Sequence, residues 1–389
     1  MDLLWNERQA AAKERYRRFG LEVVAPLSAE RDRAGTFNET AWKELAAAGF
    51  WRANVPARFG GDGGTLWDLI AGFEGLTLGA QDCGFVLSAI AHAGLVQVLL
   101  THGTDDQRAR LLPRLMSGGV GATAATEPTG GSHVAAIGTR AVRTPSGFLL
   151  TGRKAHITNA PIADLVLIVA RVADIGKRDI TLFVLDAAQD GVSLGDSEDL
   201  LGQRTSPTGP IELAGATVPD RDVVGPVGEG LTTLYSFLAF DRIMYGIVVA
   251  ALLESLLPKA LDRISTRSSF GVPLAEHELI QDKIVGIKMT IESARALSYS
   301  AVDALQRGDE SFSALASCAK LTASEGVVNS ALELVQLFGH RGYDREFGIE
   351  RHLRDAVAIR IAGGTSEMQK KNIFKHALSE HLEASNAGR

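Results

Sequence analysis

The chain has 389 residues, of which 46% are hydrophobic, and a formal net charge of −6. This composition excludes a disordered protein, because the apolar content is sufficient for a large core in two or three domains. Nucleic-acid binding is not indicated, since the lysine and arginine residues are spread along the chain and form no basic patch. Cys83 and Cys318 are far apart and lack CxxC spacing, which argues against a disulfide framework or a thiolate metal site.

The first predicted region is a helical domain over residues 1–120. Apolar residues recur at helical spacing, as at Leu111, Leu112 and Leu115, and glycine-rich turns such as RFGGDGG separate the helices. The N-terminal segment becomes charged too early for a secretory signal. We therefore expect a cytoplasmic protein.

The second predicted region is a mostly antiparallel β domain over residues 121–228. It contains short runs rich in β-branched residues and separated by Gly, Pro and Asp, namely GFLLTG, DLVLIVARV, DITLFVLD and IELAGATV. Residues 229–389 return to long segments of helical period, broken at QRGDES and GHRGYDREFG, which predicts a bundle of antiparallel helices. The most apolar segment, IMYGIVVAALL, is too short to span a bilayer, so no membrane partner is expected.

Searches for common catalytic motifs mostly fail. The sequence has no P-loop, no HExxH and no GxSxG, and its nine histidines show no metal-ligand spacing, so no metal site is predicted. The segment GVGATA formally matches GxGxxA, but it precedes a β region and does not open the crossover helix of a βαβ unit. We interpret that match as chance.

Four stretches together resemble the acyl-CoA dehydrogenase family over essentially the whole chain. They are TEPTGGSH (126–133), GRKAHITNAPIAD (152–164), RSSFGVPLAEHELIQDK (267–283) and RDAVAIRIAGGTSEMQ (354–369). The resemblance implies a multidomain α+β fold with an N-terminal helical domain, a middle antiparallel β domain and a C-terminal four-helix bundle. It also implies a homodimer or homotetramer with non-covalent FAD at the junction of the domains.

The resemblance assigns several residues to the flavin ring and the substrate. Thr126 and the adjacent Ala125 backbone would hold the pyrimidine edge, His156 would flank the ring, and Thr158 would approach flavin N5. Ser132 would lie near the pantetheine arm of the substrate. Taken alone, TEPTGG is also compatible with an ordinary Pro-Gly loop.

The pyrophosphate and adenosine end of FAD needs cations and backbone donors. The resemblance assigns this end to six residues, some of them from a neighbouring subunit: Arg267, Phe270, Gln336, Gly339, Thr365 and Glu367. The planar guanidinium of an arginine pairs with phosphate in a bidentate way. A surface ion pair with a nearby carboxylate is the alternative role for Arg267.

Three histidines depart from the family pattern. His156 replaces the usual aromatic residue beside the flavin, His133 replaces an aspartate, and His340 replaces a glycine. Each is either an acid-base group near neutral pH or a neutral, hydrogen-bonded filler. These departures leave the substrate open.

The largest departure is Gly363, which stands where many members of the family carry the catalytic glutamate. Oxidation of an acyl thioester needs a carboxylate that removes the α-proton and donors for the charge that grows on the thioester oxygen. Gly363 offers only its backbone N–H to this site. The base must therefore come from another segment.

Asp241 is the candidate base. It lies on an apolar helical stripe formed by Leu234, Leu238, Tyr245 and Val248, where a charge is expensive unless it is paired or used. Some family members carry the base at the fourth position of an LDxER pattern on this helix, and here that pattern is LAFDR. The alternative is a structural aspartate satisfied by an arginine or a helix end.

The sequence thus predicts an FAD-dependent dehydrogenase that oxidises an acyl thioester carried by CoA or by an acyl carrier protein. Electrons would pass to an electron-transferring flavoprotein or to oxygen. Three alternatives remain: oxidation of an α-hydroxy or α-amino acyl group on a carrier protein, a flavin-dependent monooxygenase, and a non-catalytic subunit that pairs with an active homologue.

Overall fold

A computed structural model describes residues 5–176 and 178–387. It begins with six helices: α1 (Glu7–Phe19), α2 (Ala25–Ala34), α3 (Glu39–Ala47), α4 (Leu66–Ala80), α5 (Cys83–His102) and α6 (Asp105–Met116). Local sequence sets several of their starts, because Asn6, Thr65 and Thr104 each cap a helix in a capping box. The predicted N-terminal helical domain is confirmed.

The next segment forms one sheet of eight strands. The strands are β1 (Gly121–Ala124), β2 (Arg140–Thr144), β3 (Gly147–Thr158), β4 (Leu165–Val172), β5 (Ile180–Asp186), β6 (Val192–Leu194), β7 (Thr208–Pro219) and β8 (Val223–Val224). The strand order is β6-β7-β3-β2-β4-β5-β8, with β1 beside β4. Among the described strands, only β1–β4 and β2–β4 are parallel pairs, so the prediction of a mostly antiparallel sheet is confirmed.

Four long helices form the C-terminal bundle, as predicted. They are α7 (Gly230–Thr266), α8 (Glu278–Arg307), α9 (Phe312–Phe338) and α12 (Ser366–Ala387). A two-stranded hairpin, β9 (Ser268–Ser269) and β10 (Val272–Pro273), joins α7 to α8. Two short helices, α10 (His340–Tyr343) and α11 (Glu350–Ile359), lead into the turn before α12.

Helix α7 positions the candidate site. It is buried continuously from Ala239 to Leu253, and it packs against α4 and α5 of the N-terminal region and against α8 and α9 of the bundle. By length and apolarity, α5 and α7 pass a test for membrane spans, but 83% and 89% of their apolar windows are buried inside the protein. Such burial is typical of core helices.

Candidate active site

The structure brings Asp241 and Gly363 together. Asp241 lies in the buried part of α7 and is 8% exposed, and Gly363 lies in the turn between α11 and α12. A β-carbon placed on Gly363 would lie 2.7 Å from Asp241 Oδ2 and 2.6 Å from Tyr245 Cε2. Gly363 also has a φ of +63°, which disfavours any residue with a side chain. The turn therefore disfavours any side chain at position 363.

The Asp241 carboxyl group has two nearby cations but no direct partner. Among the described residues, no donor is hydrogen-bonded to it, and Arg242 and Lys320 act on it only at longer range. Burial raises the pKa of Asp241 to about 7, although the charges of Arg242 and Lys320 oppose that shift. A carboxyl group with this pKa exchanges its proton near neutral pH, which is the property required of a general base.

Sequence analysis missed the two buried side chains that hold the turn. Lys320 of α9 donates from Nζ to the Gly364 carbonyl at 2.8 Å, and Gln369 of α12 donates from Nε2 to the same carbonyl at 2.7 Å. A lysine within the apolar segment ALASCAKLTA was the available signal for the first. The turn is consequently fixed from its inner side.

Ala125 and Thr126 follow directly after β1 and form a loop beside β3. The Thr126 carbonyl accepts the Ala155 N–H at 3.1 Å, so the loop is attached to the strand that carries His156 and Thr158. Within the described part of the chain, the Thr126 N–H and hydroxyl have no hydrogen-bond partner, and the residue is half-buried. Unpaired donors in this position fit the polar edge of a flavin.

A second missed pair, Lys154 and Glu127, secures this loop. Lys154 is 0% exposed, and its Nζ lies 2.8 Å from Glu127 Oε1. Glu127 also accepts hydrogen bonds from the Gly138 N–H at 2.6 Å and from the Thr139 N–H and hydroxyl at 2.9 and 2.6 Å. Burial acts to raise the pKa of Glu127, but these bonds outweigh it and hold the pKa at about 2.

His156 lies at an irregularity in β3. The register with β7 shifts between Lys154 and Ile157, and His156 has a φ of +56°. Its ring is exposed, and Nδ1 lies 2.9 Å from Glu198 Oε2. A non-glycine residue held in this conformation is a recurrent feature of ligand sites. Thr158, two residues further along, presents a half-buried hydroxyl with no partner in the described residues.

The other two histidines lie outside this cluster. His133 and Ser132 are exposed in the loop after β1, and His340 is exposed at the start of α10. The structure therefore does not gather the three histidines at Asp241. It places His156 alone in the part of the site assigned to the flavin ring.

The residues assigned to the pyrophosphate and adenosine lie on the bundle surface. Arg267 and Phe270 belong to the hairpin before α8, where Phe270 is 97% exposed, and Gln336 and Gly339 are exposed at the end of α9. No hydrogen bond among the described residues joins them to the Thr126 loop.

The last two predicted cofactor residues lie at the start of α12. The Thr365 hydroxyl accepts the Met368 N–H at 3.4 Å. Glu367 is exposed, and hydrogen bonds from its own backbone N–H and from Thr365 lower its pKa. Both residues directly follow the Gly363 turn.

Comparisons with known proteins agree with this architecture. Residues 6–119, 122–216 and 228–378 match the N-terminal, middle and C-terminal domains of acyl-CoA dehydrogenases. The mitochondrial isovaleryl-CoA dehydrogenase of Solanum tuberosum is 31% identical over 97% of this chain and 92% of its own length. An L-prolyl-[peptidyl-carrier protein] dehydrogenase of Pseudomonas fluorescens is 29% identical over 96% of this chain and 99% of its own length.

Solved structures show the same likeness. Butyryl-CoA dehydrogenase from Megasphaera elsdenii has a TM-score of 0.92 at 30% identity, covering 97% of this chain and 100% of its own. PigA in complex with FAD and proline has a TM-score of 0.92 at 28% identity, covering 97% and 99%. Together with the three-part fold, these matches establish that the chain belongs to the acyl-CoA dehydrogenase family.

Proposed function

We propose that this protein is an FAD-dependent dehydrogenase of an acyl thioester and that Asp241 is its base. The observation that carries this proposal is a buried carboxyl group with no hydrogen-bond partner among the described residues, directly opposite the Gly363 turn. A structural aspartate at such a position is expected to be paired, because burying an unpaired carboxylate is expensive. Asp241 instead has a buried carboxyl group with no hydrogen-bond partner among the described residues, and it lies against the Gly363 turn.

The residues around Thr126 suit an FAD cofactor. The unpaired Thr126 N–H and hydroxyl would bind the pyrimidine edge of the flavin, and the Thr158 hydroxyl would lie near N5. His156 would flank the ring from the β3 irregularity, where Glu198 orients its imidazole. Thr365 and Glu367 would contact the cofactor from the start of α12. When bound, FAD accepts the hydride that leaves the substrate.

Asp241 and Gly363 divide the substrate chemistry between them. Asp241 would remove the proton from the α-carbon of the thioester as general base, and a bound FAD would supply the acceptor for the hydride of the β-carbon. The Gly363 N–H has no acceptor among the described residues, so it is available to the thioester oxygen. With a pKa of about 7, Asp241 is protonated in acid and becomes a competent base as the pH rises through 7.

The proposal also covers the group that carries the acyl chain and the oligomeric state of the enzyme. Relatives that act on CoA esters and relatives that act on carrier-bound prolyl groups both match nearly the whole chain, so either carrier is a candidate. The outer face of α8 exposes Leu279, Val285 and Met289, which suits a second copy of the chain. In a homodimer or homotetramer, Arg267 and Phe270 would then serve the FAD of a neighbouring subunit.

The test is anaerobic flavin reduction by butyryl-CoA, isovaleryl-CoA and a prolyl-loaded carrier protein. We expect at least one of them to bleach the wild-type flavin, and Asp241→Asn to lower that rate at least about 100-fold while FAD stays bound. The electron acceptor is tested by reoxidising the reduced enzyme with an electron-transferring flavoprotein or with oxygen.

Asp355→Asn is a matched control. Asp355 is also buried, and burial raises its pKa to about 7, but it accepts a hydrogen bond from the Gln203 N–H. Its replacement should leave the reduction rate within about twofold of wild type. If Asp241→Asn reduced its flavin at the wild-type rate, Asp241 would not be the base, and His133, His156 and His340 would become the candidates. Failure of all three thioesters on wild type would favour a non-catalytic subunit.

A further inference from the structure

Lys320 is a fully buried lysine whose partners are carbonyl groups. Its side chain is 0% exposed, and Nζ lies 2.8 Å from the Gly364 oxygen and 3.5 Å from the Arg360 oxygen. No carboxylate of the described residues lies within ion-pair distance of it. Burying an ammonium group without a paired carboxylate is costly, and burial lowers the pKa of Lys320 to about 8. The cost of burying this lysine suggests that its side chain has a role in the function of the protein.

The two carbonyls lie on either side of Gly363. Arg360 is the C-cap residue that follows α11, and its carbonyl accepts the Ser366 N–H at 3.1 Å in addition to its contact with Lys320. A cation at a helix C-terminus is favourable, so Lys320 caps α11 and holds the far end of the turn at the same time. Gln369 adds a bond to the Gly363 carbonyl at 3.4 Å. The carbonyl oxygens of the turn are thus bound by Lys320 and Gln369. The Gly363 N–H, in contrast, has no acceptor among the described residues.

The charge of Lys320 also acts on Asp241. Two cations face the Asp241 carboxyl group, Arg242 from α7 itself and Lys320 from α9, and the Tyr245 phenol lies one helical turn away. Cys83 of α5 faces Tyr245, not Asp241.

Two carboxylates, Glu325 and Glu367, act on Lys320 at longer range, but neither contacts it. Glu325 is occupied by Arg360 at 3.0 Å and by the Ser366 hydroxyl at 2.6 Å, and Glu367 is exposed. The positive charge of Lys320 is therefore not neutralised by a contact, and Asp241 is the charged group that acts on it most strongly.

We infer that Lys320 is a positioning residue for the reaction: it fixes the Gly363 turn opposite Asp241, and its charge favours the carboxylate form of Asp241. This inference rests on the proposed function. It assigns two separable roles to one side chain, a clamp on the turn and an electrostatic effect on the base. Removing the ammonium group should loosen the turn and raise the pKa of Asp241.

Lys320→Gln separates these roles from a general loss of stability. We expect the midpoint of the pH–rate profile for flavin reduction to move up by about one pH unit, because a nearby cation no longer favours the carboxylate. The substrate is whichever of the three thioesters reduces the wild-type flavin. Lys320→Arg retains the charge and should keep the wild-type midpoint. Lys283→Gln removes a bundle lysine that pairs with Glu333 and should also keep it.

Hydrogen exchange of residues 360–366, followed by mass spectrometry of the FAD-loaded protein, tests the clamp without turnover. Lys320→Gln should exchange these amides at least about tenfold faster, and Lys283→Gln should not. Gln369→Leu removes the other clamp but no charge, so it should accelerate exchange and leave the pH midpoint unchanged.

The outcomes are distinguishable. An unchanged midpoint and unchanged exchange in Lys320→Gln would overturn the inference. If Lys320→Gln does not fold, a shifted midpoint in Gln369→Leu or in Lys320→Arg would overturn the electrostatic role. If no thioester reduces the wild-type flavin, the proposed function fails, whereas the exchange experiment still decides the clamp.

Discussion

Lys154 and Lys320 are both fully buried, and each holds a loop of the candidate site, but they do so by different means. Lys154 pairs with the Glu127 carboxylate at 2.8 Å and thereby secures the Thr126 loop. Lys320 bonds only to carbonyl oxygens and secures the Gly363 turn. The first charge is neutralised by contact, whereas the second is not.

This difference decides whether each lysine only fixes a loop or also changes the pKa of a neighbouring group. A paired charge contributes little field beyond its partner, so the Lys154–Glu127 pair fixes the shape of the loop without tuning a nearby group. An unneutralised charge in a dry interior acts over several ångströms, because the effective dielectric constant there is well below that of water. In the proposed site, the unneutralised charge of Lys320 therefore lies beside the proposed base, and the paired charge of Lys154 lies beside the loop proposed to bind the flavin.

Breaking the Lys154 pair should have the largest effect on stability. Lys154→Met leaves the Glu127 carboxylate buried without its cation, which we expect to cost about 3–5 kcal/mol of unfolding free energy and to release FAD. Denaturant unfolding and the flavin content after gel filtration measure both effects. The double variant Lys154→Met/Glu127→Gln should recover part of the loss, because it removes the unpaired charge and keeps an amide oxygen as acceptor for Thr139. Equal losses in the single and double variants would contradict this account of the pair.

Alanine substitutions at two glycines sharpen the comparison of the two loops. Gly363→Ala places a β-carbon against Asp241 and Tyr245 at a positive φ, so we expect a loss of about 2–3 kcal/mol. Gly130, in the loop after β1, has nothing within 4 Å of an added β-carbon, so Gly130→Ala should cost less than about 1 kcal/mol. For the same steric reason, Gly363→Glu should not restore flavin reduction to Asp241→Asn. Restored reduction would show that the turn opens.

The pH dependence of the unfolding free energy tests the unpaired carboxyl group of Asp241. Because the folded-state pKa of Asp241 is about 7 and its ordinary value is 3.8, its stabilising contribution is complete below pH 3.8 and is lost as the pH rises through 7. Asp241→Asn lacks this loss. Between pH 4 and pH 8, the unfolding free energy of Asp241→Asn should therefore rise by more than about 1 kcal/mol relative to that of wild type.

Unfolding free energies at pH 4, 6 and 8 measure this gain. The exposed Asp196 is the control, and Asp196→Asn should follow the wild-type curve at all three values. Parallel curves for Asp241→Asn and wild type would place the pKa of Asp241 in its ordinary range.

Arg267→Ala should have the smallest of these effects. Its guanidinium is exposed in one chain, so we expect loss of a screened phosphate contact to weaken FAD binding by about 1 kcal/mol, or about fivefold. Flavin fluorescence during dilution measures the dissociation, with Arg307→Ala as a surface control. The melting temperature of the FAD-free protein should not change. Unaltered FAD binding would favour a surface role for Arg267.

The sequence predicted the three-part fold because its periodicities are strong. The continuous apolar run of β4 is buried over nearly its whole length, and the long 3.6-residue patterns became α7, α8, α9 and α12. The bounds at residues 120 and 228 stay a prediction. So do the assigned roles of the site residues, the electron acceptor, the oligomeric state and the cytoplasmic location.

Sequence alone determined that Asp241 occupies an apolar helix face and that Gly363 supplies no carboxylate, because both facts depend on residue type and local spacing. Only the tertiary structure decided that the two residues face each other, that no donor of the described residues satisfies Asp241, and that Lys320 holds the turn between them. These contacts join α7, α9 and the turn before α12, which are far apart in the chain. Their distances and charges depend on how the bundle packs, and no local pattern specifies them.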